Sequence, residues 1–311
     1  MRIDGIDRLP HGLRFVLGIG MFDGVHRGHR LVLDALTRAA TAEHAESVVL
    51  TFDPHPAQVL RGSAPPLLCD PEERLRRIEW HAVDTIVIQR FDHRFADQPP
   101  AAFLERVCRK RDLAGIVMSP ETAFGRDRAG GLPAIRRLAE PLGFRVIEIP
   151  RVATHGATVS STRLRDLLAS GRLADSARLF GRPYAVIGTV VRGDRRGRDL
   201  GYPTANLAFD APVALPPDGI YAVRAGWGGG DPLQPIRTAN GVASLGVRPT
   251  FGAGARVFEV HLFDIDEDLY GLRLRVEIVR RQRGERRFDS VAALVRQMNR
   301  DAARARTILA G

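Results

Sequence analysis

His26 and His29 stand three residues apart at the end of a glycine-punctuated run, Gly18-Ile19-Gly20-Met21-Phe22-Asp23-Gly24-Val25-His26-Arg27-Gly28-His29. At a helix start that spacing brings both imidazoles to one face. Two imidazoles beside a glycine turn donate hydrogen bonds to phosphate oxygens as charge builds there in a transition state. Taken alone, His-x-x-His reads as two surface histidines after a turn. The surroundings argue otherwise. Residues 15–19 form an apolar run with the character of a buried strand, and a helical pattern carried by Val32, Ala35, Leu36 and Ala39 begins just after His29. Strand, glycine turn and helix together leave backbone N–H groups and the positive end of a helix facing a phosphate. Gly-x-x-x-x-Gly-Lys-Ser/Thr is absent, so this is not a Walker loop.

A second glycine-rich constellation runs through Gly188, Gly193, Gly197 and Gly201 to Tyr202-Pro203-Thr204-Ala205-Asn206-Leu207. Closely spaced glycines let backbone approach a polyphosphate. Thr204 and Asn206 are two apart, so on an extended segment their oxygens face the same way. They could share a hard cation such as Mg²⁺, which takes oxygen ligands. Equally, Pro-Thr-Ala-Asn is a plain turn with a locally bonded Asn. In Phe258-Glu259-Val260-His261-Leu262-Phe263, alternation puts Glu259 and His261 opposite the apolar residues. A carboxylate on a barrel wall near a nucleotide can take the proton of an attacking alcohol, although a solvent-facing residue fits the same alternation. Arg283 and Glu285 read equally as surface charges. Ser160-Ser161-Thr162-Arg163-Leu164-Arg165 opens a helix. A Ser or Thr cap explains its start, but not the two arginines one turn in.

The elements that must position these groups differ between the two halves. Strands over residues 15–19, 47–52, 85–88, 115–118 and 144–149 alternate with helical patterns over 30–44, 71–80, 99–111 and 133–142. That alternation predicts an α/β domain, a Rossmann-like parallel sheet covered by helices, with ligands at the carboxyl ends of the strands. The histidine pair, Asp53-Pro54-His55-Pro56 and residues 119–130 all follow such ends. After Gly181-Arg182-Pro183, short β-like runs over 185–191, 219–225, 240–245, 258–263 and 272–279 predict a compact antiparallel β-barrel. An amphipathic helix over 290–309 closes it. Domains of residues 1–181 and 182–311 follow.

The chain has 311 residues, 44% hydrophobic and 26% charged, as in an ordinary globular protein. Its net charge of +10 invites a nucleic-acid reading, but the positive charge is nearly all arginine, interleaved with acids along the whole chain. Aromatics at 6% form no stacking pattern, so no nucleic-acid partner is expected. Two cysteines, Cys69 and Cys108, suggest no disulfide framework. No apolar run reaches membrane-spanning length and nothing at the N-terminus reads as a signal peptide, so the expected setting is the cytoplasm, without membrane attachment.

Taken in order, Gly20-x-Phe22-Asp23-Gly24-Val25-His26-x-Gly28-His29, Ser160-Ser161-Thr162-x-x-Arg165, Gly181-Arg182-Pro183-Tyr184, Gly197-Arg198-x-Leu200-Gly201-Tyr202-Pro203-Thr204-Ala205-Asn206, Gly246-x-Arg248-Pro249-Thr250 and Glu259-Val260-His261-Leu262-Phe263-Asp264 carry a resemblance. Over residues 12 to 306 the chain closely resembles the prokaryotic bifunctional FAD synthetases, riboflavin kinase fused to FMN adenylyltransferase. The resemblance implies that the barrel transfers the γ-phosphate of ATP to riboflavin, and that the N-terminal domain then joins FMN to AMP from a second ATP, releasing pyrophosphate. It implies that His26 and His29 stabilise the adenylyl transition state. Gly20, Phe22, Asp23, Gly28, Ser161, Thr162 and Arg165 would hold ATP and its phosphates there. In the barrel Gly193, Gly201 and Thr204 would do so, with Thr204 and Asn206 on Mg²⁺ and Glu259 as the base. Glu121, Phe124, Arg283 and Glu285 would meet flavin. Partners are small molecules, with the chain a monomer or weak homo-oligomer.

Departures occur after the fourth strand. Ser119-Pro120-Glu121-Thr122-Ala123-Phe124-Gly125 has Glu121 and Thr122 where the family usually has Asp or Asn and then an aromatic. Met21 stands where Asn is common. A lost apolar contact there predicts a weaker adenylyltransferase half beside an intact kinase. The alternative reading is accordingly a riboflavin kinase whose N-terminal domain binds nucleotide or flavin with little catalysis.

Overall fold

The computed structural model describes the chain except residues 152, 155–156, 194–196, 198–199, 232, 248–255 and 311. Its contacts divide it into two units, Met1–Pro65 with Arg74–Ser161, and Pro66–Glu73 with Thr162–Gly311. The boundary expected at 181/182 thus falls inside the second unit. The preceding segment groups with the barrel because Phe180 stacks on Tyr184 at 5.6 Å and the Tyr184 hydroxyl donates to the Ala214 carbonyl at 2.5 Å.

In the first unit, β1 (Arg2–Asp4), β2 (Arg14–Ile19), β3 (Glu46–Asp53), β4 (Thr85–Arg90) and β5 (Asp112–Met118) precede a ribbon of β6 (Ala123–Phe124) and β7 (Gly130–Gly131), then β8 (Arg145–Glu148). The six-stranded sheet has the order β1-β4-β3-β2-β5-β8, every neighbouring pair parallel. Five of these strands were expected. β1 is an addition at the edge, too short and polar to show a pattern. Along β2, Phe15, Leu17 and Ile19 enter one apolar cluster and Val16 enters the other with Leu33 and Leu36, so both faces are covered. The covering helices are α1 (Arg27–Ala42), α2 (Pro56–Arg61), α3 (Pro71–Glu79), α4 (His93–Ala96), α5 (Pro100–Cys108) and α6 (Leu132–Leu142). From β2 the chain builds β3 and β4 on one side and β5 and β8 on the other. The carboxyl end of β2 is therefore the point where strand order reverses, and a crevice opens there. Gly20 to His26 leave from that end.

A second ribbon, β9 (Ala153–Thr154) with β10 (Ala157–Thr158), leads to α7 (Ser161–Ala169) and α8 (Leu173–Phe180). The barrel then closes through β11 (Ala185–Val191), β12 (Ala205–Ala208), β13 (Gly219–Trp227), β14 (Arg237–Val247), β15 (Arg256–Leu262) and β16 (Arg273–Arg283), in the order β11-β12-β15-β14-β13-β16 and antiparallel throughout. β12 escaped the sequence reading because Pro203 and Asn206 look like turn residues. Tyr221, Val223, Leu245, Phe258, Val260, Leu274 and Val276 are buried. The closing helix α9 (Val291–Ala310) sets Ala305 and Leu309 against Ala222 and Phe263.

That helix is also locked by charge. Arg283 Nη2 donates to Asp301 Oδ2 at 2.6 Å and Nε reaches both carboxylate oxygens, while Gln297 Nε2 donates to Oδ1 at 2.9 Å. Arg283 and Asp301 side chains are only 13% and 8% exposed. Removing one partner leaves a buried charge uncompensated, whereas replacing both with apolar groups does not. Asp301→Ala should therefore destabilise the second unit by about 3–5 kcal/mol. The Arg283→Met/Asp301→Leu pair should recover most of that, in urea unfolding followed through the buried barrel residue Trp227.

Candidate functional site

The turn after β2 carries backbone that most residues avoid. Phe22 and Val25 have φ of 53° and 35°, with Gly24 at 78° between them. Burial holds the two non-glycine residues in place, since Phe22 and Val25 are each 1% exposed. The turn closes where Val25 N donates to Phe22 O at 3.0 Å, and it delivers His26 to the N-cap of α1. There His26 Nδ1 accepts from the His29 backbone N–H at 3.3 Å. That bond directs the neutral ring's proton to Nε2, which lies 3.3 Å from Ser161 Oγ. The rings of His26 and His29 stack with centroids 3.7 Å apart and planes 16° from parallel. The geometry explains Gly28, where a Cβ would come within 3.2 Å of His26 Nδ1 and Cε1.

Positive charge surrounds this helix start. Burial first, then Arg77 and Arg27, push the Arg30 guanidinium down from its ordinary value. Cations gathered at a helix N-terminus suit an anionic ligand. Beside the turn, Ile19, Leu50, Phe52, Phe95, Phe103 and Phe124 line a narrow apolar cleft of about 20 Å³. Its rings meet edge to face or tilted, Phe52–Phe95 at 5.9 Å, Phe95–Phe103 at 5.8 Å and Phe103–Phe124 at 5.5 Å. Walls of this kind suit the face or edge of an aromatic group.

In the barrel, register does the assembling. Glu259 on β15 stands opposite Asn206 on β12 and Ser244 on β14, forming a polar row across three strands. Phe258 and Val260, on the other face, are each 1% exposed. Asn206 lies against Gly193, where a Cβ would fall 2.4 Å from its Nδ2. Two residues along β14 from Ser244, the Glu285 carboxylate occupies the space a side chain would need at Gly246. Asn206 is 7% exposed.

Comparisons with known proteins bear on both constellations. The FAD synthetase family pattern matches residues 11–163 and the riboflavin kinase pattern residues 180–309. The bifunctional riboflavin kinase/FMN adenylyltransferase of Escherichia coli strain K12 is 35% identical over 293 residues, 94% of this chain and 91% of that protein. The Bacillus subtilis protein of the same name is 30% identical over 304 residues, 94% and 93% of the two chains. This chain belongs to the bifunctional riboflavin kinase/FMN adenylyltransferase family. A solved Streptococcus pneumoniae structure named as a macrolide-efflux protein superposes with a TM-score of 0.86 at 29% identity, covering 98% of each chain. Among the described residues of this chain, no helix is long and apolar enough to cross a membrane.

The structure distributes the expected site residues unevenly. Gly20, Phe22, Asp23, His26, Gly28, His29 and Ser161 gather around the helix start. Thr162 and Arg165 follow on α7 in the second unit, where Arg165 Nε donates to Pro66 O at 2.7 Å. Gly193, Asn206, Glu259 and Glu285 meet on one barrel face, and Thr204 precedes Asn206 by two positions. Gly201 has φ 78° and is exposed. Arg198, Asp199 and Arg248-Pro249-Thr250 lie outside the described residues. Phe124 lines the apolar cleft, whereas Glu121 is exposed and ion-paired with Arg151. Arg283 is engaged by Asp301. The unusual Thr122 accepts from Ser119 N at 3.1 Å and shares a hydroxyl contact of 3.0 Å with Ser119 Oγ, so a hydrogen-bonded turn shapes the loop. Phe52, Phe95 and Phe103 were not singled out from sequence. They come from a strand end, a short helix and α5, with no local spacing to link them.

Each half has a glycine whose replacement should silence it alone. Gly28→Ala should cut FAD formation from FMN by about tenfold or more by pressing on His26, with riboflavin phosphorylation unchanged. Gly193→Ala should do the reverse by displacing Asn206. Separate assays of the two steps check both.

Proposed function

We propose that the two polar constellations act in series on one vitamin. The chain phosphorylates riboflavin to FMN with ATP, then adenylylates FMN to FAD with a second ATP. In the barrel, the ribityl 5′-hydroxyl attacks the γ-phosphorus, Glu259 takes its proton, and ADP leaves. Asn206 and Thr204 offer oxygen donors beside Gly193, whose missing Cβ leaves the cradle open, and such a set fits Mg²⁺ bound jointly with ATP phosphates. When bound, that cation neutralises phosphate charge. Gly193 and Gly201 let the backbone approach the phosphates, and Arg283 and Glu285 flank the flavin end.

In the first unit, an oxygen of the FMN phosphate attacks the α-phosphorus of ATP and pyrophosphate leaves. His26 and His29 donate to the oxygens on which charge accumulates, and the tautomer set by the helix cap keeps His26 Nε2 protonated for that purpose. Gly20, Phe22, Asp23 and Gly28 shape the nucleotide turn, Ser161 supports His26, and the motif assigns Thr162 and Arg165 to phosphates. The cleft containing Phe124 takes the isoalloxazine, with Glu121 at the loop's outer edge. The domains are residues 1–181 for adenylyl transfer and 182–311 for the kinase. The enzyme works in the cytoplasm on small molecules, as a monomer or weak homo-oligomer.

The stacked, capped histidine pair carries this reading over that of a kinase with a non-catalytic N-terminal domain. A binding module has no need for two imidazoles at a strained, buried turn, and the aromatic cleft is furnished despite Thr122.

The two activities should separate cleanly. With riboflavin, ATP and Mg²⁺, chromatography should show FAD. Glu259→Gln should lower FMN formation by about 10²-fold or more while leaving FAD formation from supplied FMN intact. His26→Ala or His29→Ala should leave FMN as the end product, with adenylyl transfer down by about 10²–10³-fold. EDTA should stop phosphorylation and excess Mg²⁺ restore it. Absence of FAD from the unmodified chain would overturn the two-step reading.

A further inference from the structure

Arg74, on α3, is 6% exposed. Its Nη1 lies 3.4 Å from the Met21 thioether and its Nη2 3.4 Å from the Phe52 carbonyl. Buried Nε has no partner, and no described carboxylate pairs with the group. Arg2 and Arg283, by contrast, each meet an acid, Glu79 at 2.7 Å and Asp301 at 2.6 Å. A guanidinium withdrawn from water with only a weak sulfur acceptor and one long carbonyl contact is an uncompensated charge. It is suited to a ligand anion, above all a phosphate, which matches its fork of donors.

Its position indicates which phosphate. Met21 belongs to the turn between Gly20 and Phe22 that leads to the histidines. Phe52, next to last in β3, lines the aromatic cleft. Thr51 Oγ1 donates to Met21 O at 3.2 Å and ties the two strand ends together. Arg74 thus stands where the ring cleft adjoins the glycine turn. With the flavin ring assigned to the cleft, its ribityl chain would lead toward the glycine turn and would set the terminal phosphate within reach of this junction.

We propose that Arg74 recognises the 5′-phosphate of FMN and is the residue by which the first unit selects FMN over riboflavin. The proposal rests on the reading that this unit adenylylates FMN. Riboflavin ends in a hydroxyl and leaves the buried cation unmatched, and a site built around a buried polar group rejects the analogue that fails to pair with it. The kinase product thereby becomes the adenylylation substrate, and free vitamin is kept out of the second step.

The test uses the full chain, supplied with FMN and ATP. KM is measured for each reactant, together with inhibition by lumiflavin, which has the ring but no ribityl phosphate. Arg74→Gln should raise the KM for FMN about tenfold or more, the range for losing a charge-assisted hydrogen bond. Arg74→Lys, which keeps the charge without the fork, should fall between. The KM for ATP and the lumiflavin inhibition constant should stay at wild-type values. An unchanged KM for FMN in both variants overturns the proposal. So does a rise confined to the KM for ATP, which would give Arg74 to the nucleotide, and so does a parallel weakening of lumiflavin, which would make its role structural. Should Arg74→Gln not fold, Arg74→Lys carries the same three readouts. A wild-type chain that makes no FAD from FMN defeats the adenylylation reading itself and this proposal with it. Wild-type turnover with indifferent variants defeats the proposal alone.

Discussion

The first unit depends on one hydrogen bond that serves two purposes. His26 Nδ1 accepts the backbone N–H of His29, which starts α1 and fixes the imidazole's orientation together. A helix must satisfy its first N–H groups with something, and Ser, Thr, Asp or Asn usually does so. Using histidine places a ring nitrogen at the positive end of the helix, where an anion is favoured. The strain in Phe22 and Val25 follows from this. The chain must leave β2, turn tightly at the switch point and arrive with His26 outside helical geometry at φ −77° and ψ 175°. Burial of Phe22 and Val25 secures a turn that their backbone angles alone would oppose.

The barrel positions Glu259 without backbone strain at that residue. A β-strand puts alternate residues on opposite faces, so an apolar interior automatically leaves an exterior row available for chemistry. Phe258 and Val260 anchor β15, and Glu259 between them inherits its position from their packing. Register then brings Asn206 and Ser244 alongside. Gly193 and Gly246 allow a second layer to touch this face directly, Asn206 against one and Glu285 against the other. The Arg283–Asp301 pair joins the end of β16 to α9, and so fixes the strand end from which Glu285 projects.

Much of this was legible in the chain itself. Strand–turn–helix around His26 and alternation around Glu259 are local patterns, and both report faithfully because each is confined to a few consecutive residues. Asn206 was legible as a candidate but not as a strand residue, since Pro203 and Asn206 carry turn propensity that barrel pairing overrides. The aromatic cleft was invisible because Phe52, Phe95 and Phe103 converge only through the packing of β3, α4 and α5. Arg74 was hidden for a related reason. In Glu72-Glu73-Arg74 it reads as one charge in a solvated helix face, and only the folded unit shows that its head is buried without an acid. Arg283 read as a surface charge or a flavin contact, and its partner Asp301 lies 18 residues away on another element.

The residue types in the two sites follow from the two nucleophiles. A ribityl hydroxyl is protonated at neutral pH and becomes a competent nucleophile only by surrendering its proton, so the kinase face needs a carboxylate. A phosphate monoester, with a second pKa near ~6, is already an anion and needs no base. Its difficulty is electrostatic, because it must approach the negatively charged phosphates of a second ATP. Cations and polarised N–H groups answer that problem, and the first unit carries His26, His29, Arg27, Arg30 and Arg77 about the α1 terminus. An arginine in place of Glu259 could not accept a proton in the role proposed for it. On the proposed roles the two steps call for different groups, a proton acceptor in the barrel and hydrogen-bond donors at the α1 terminus, and the fold carries these residues on two separate frameworks.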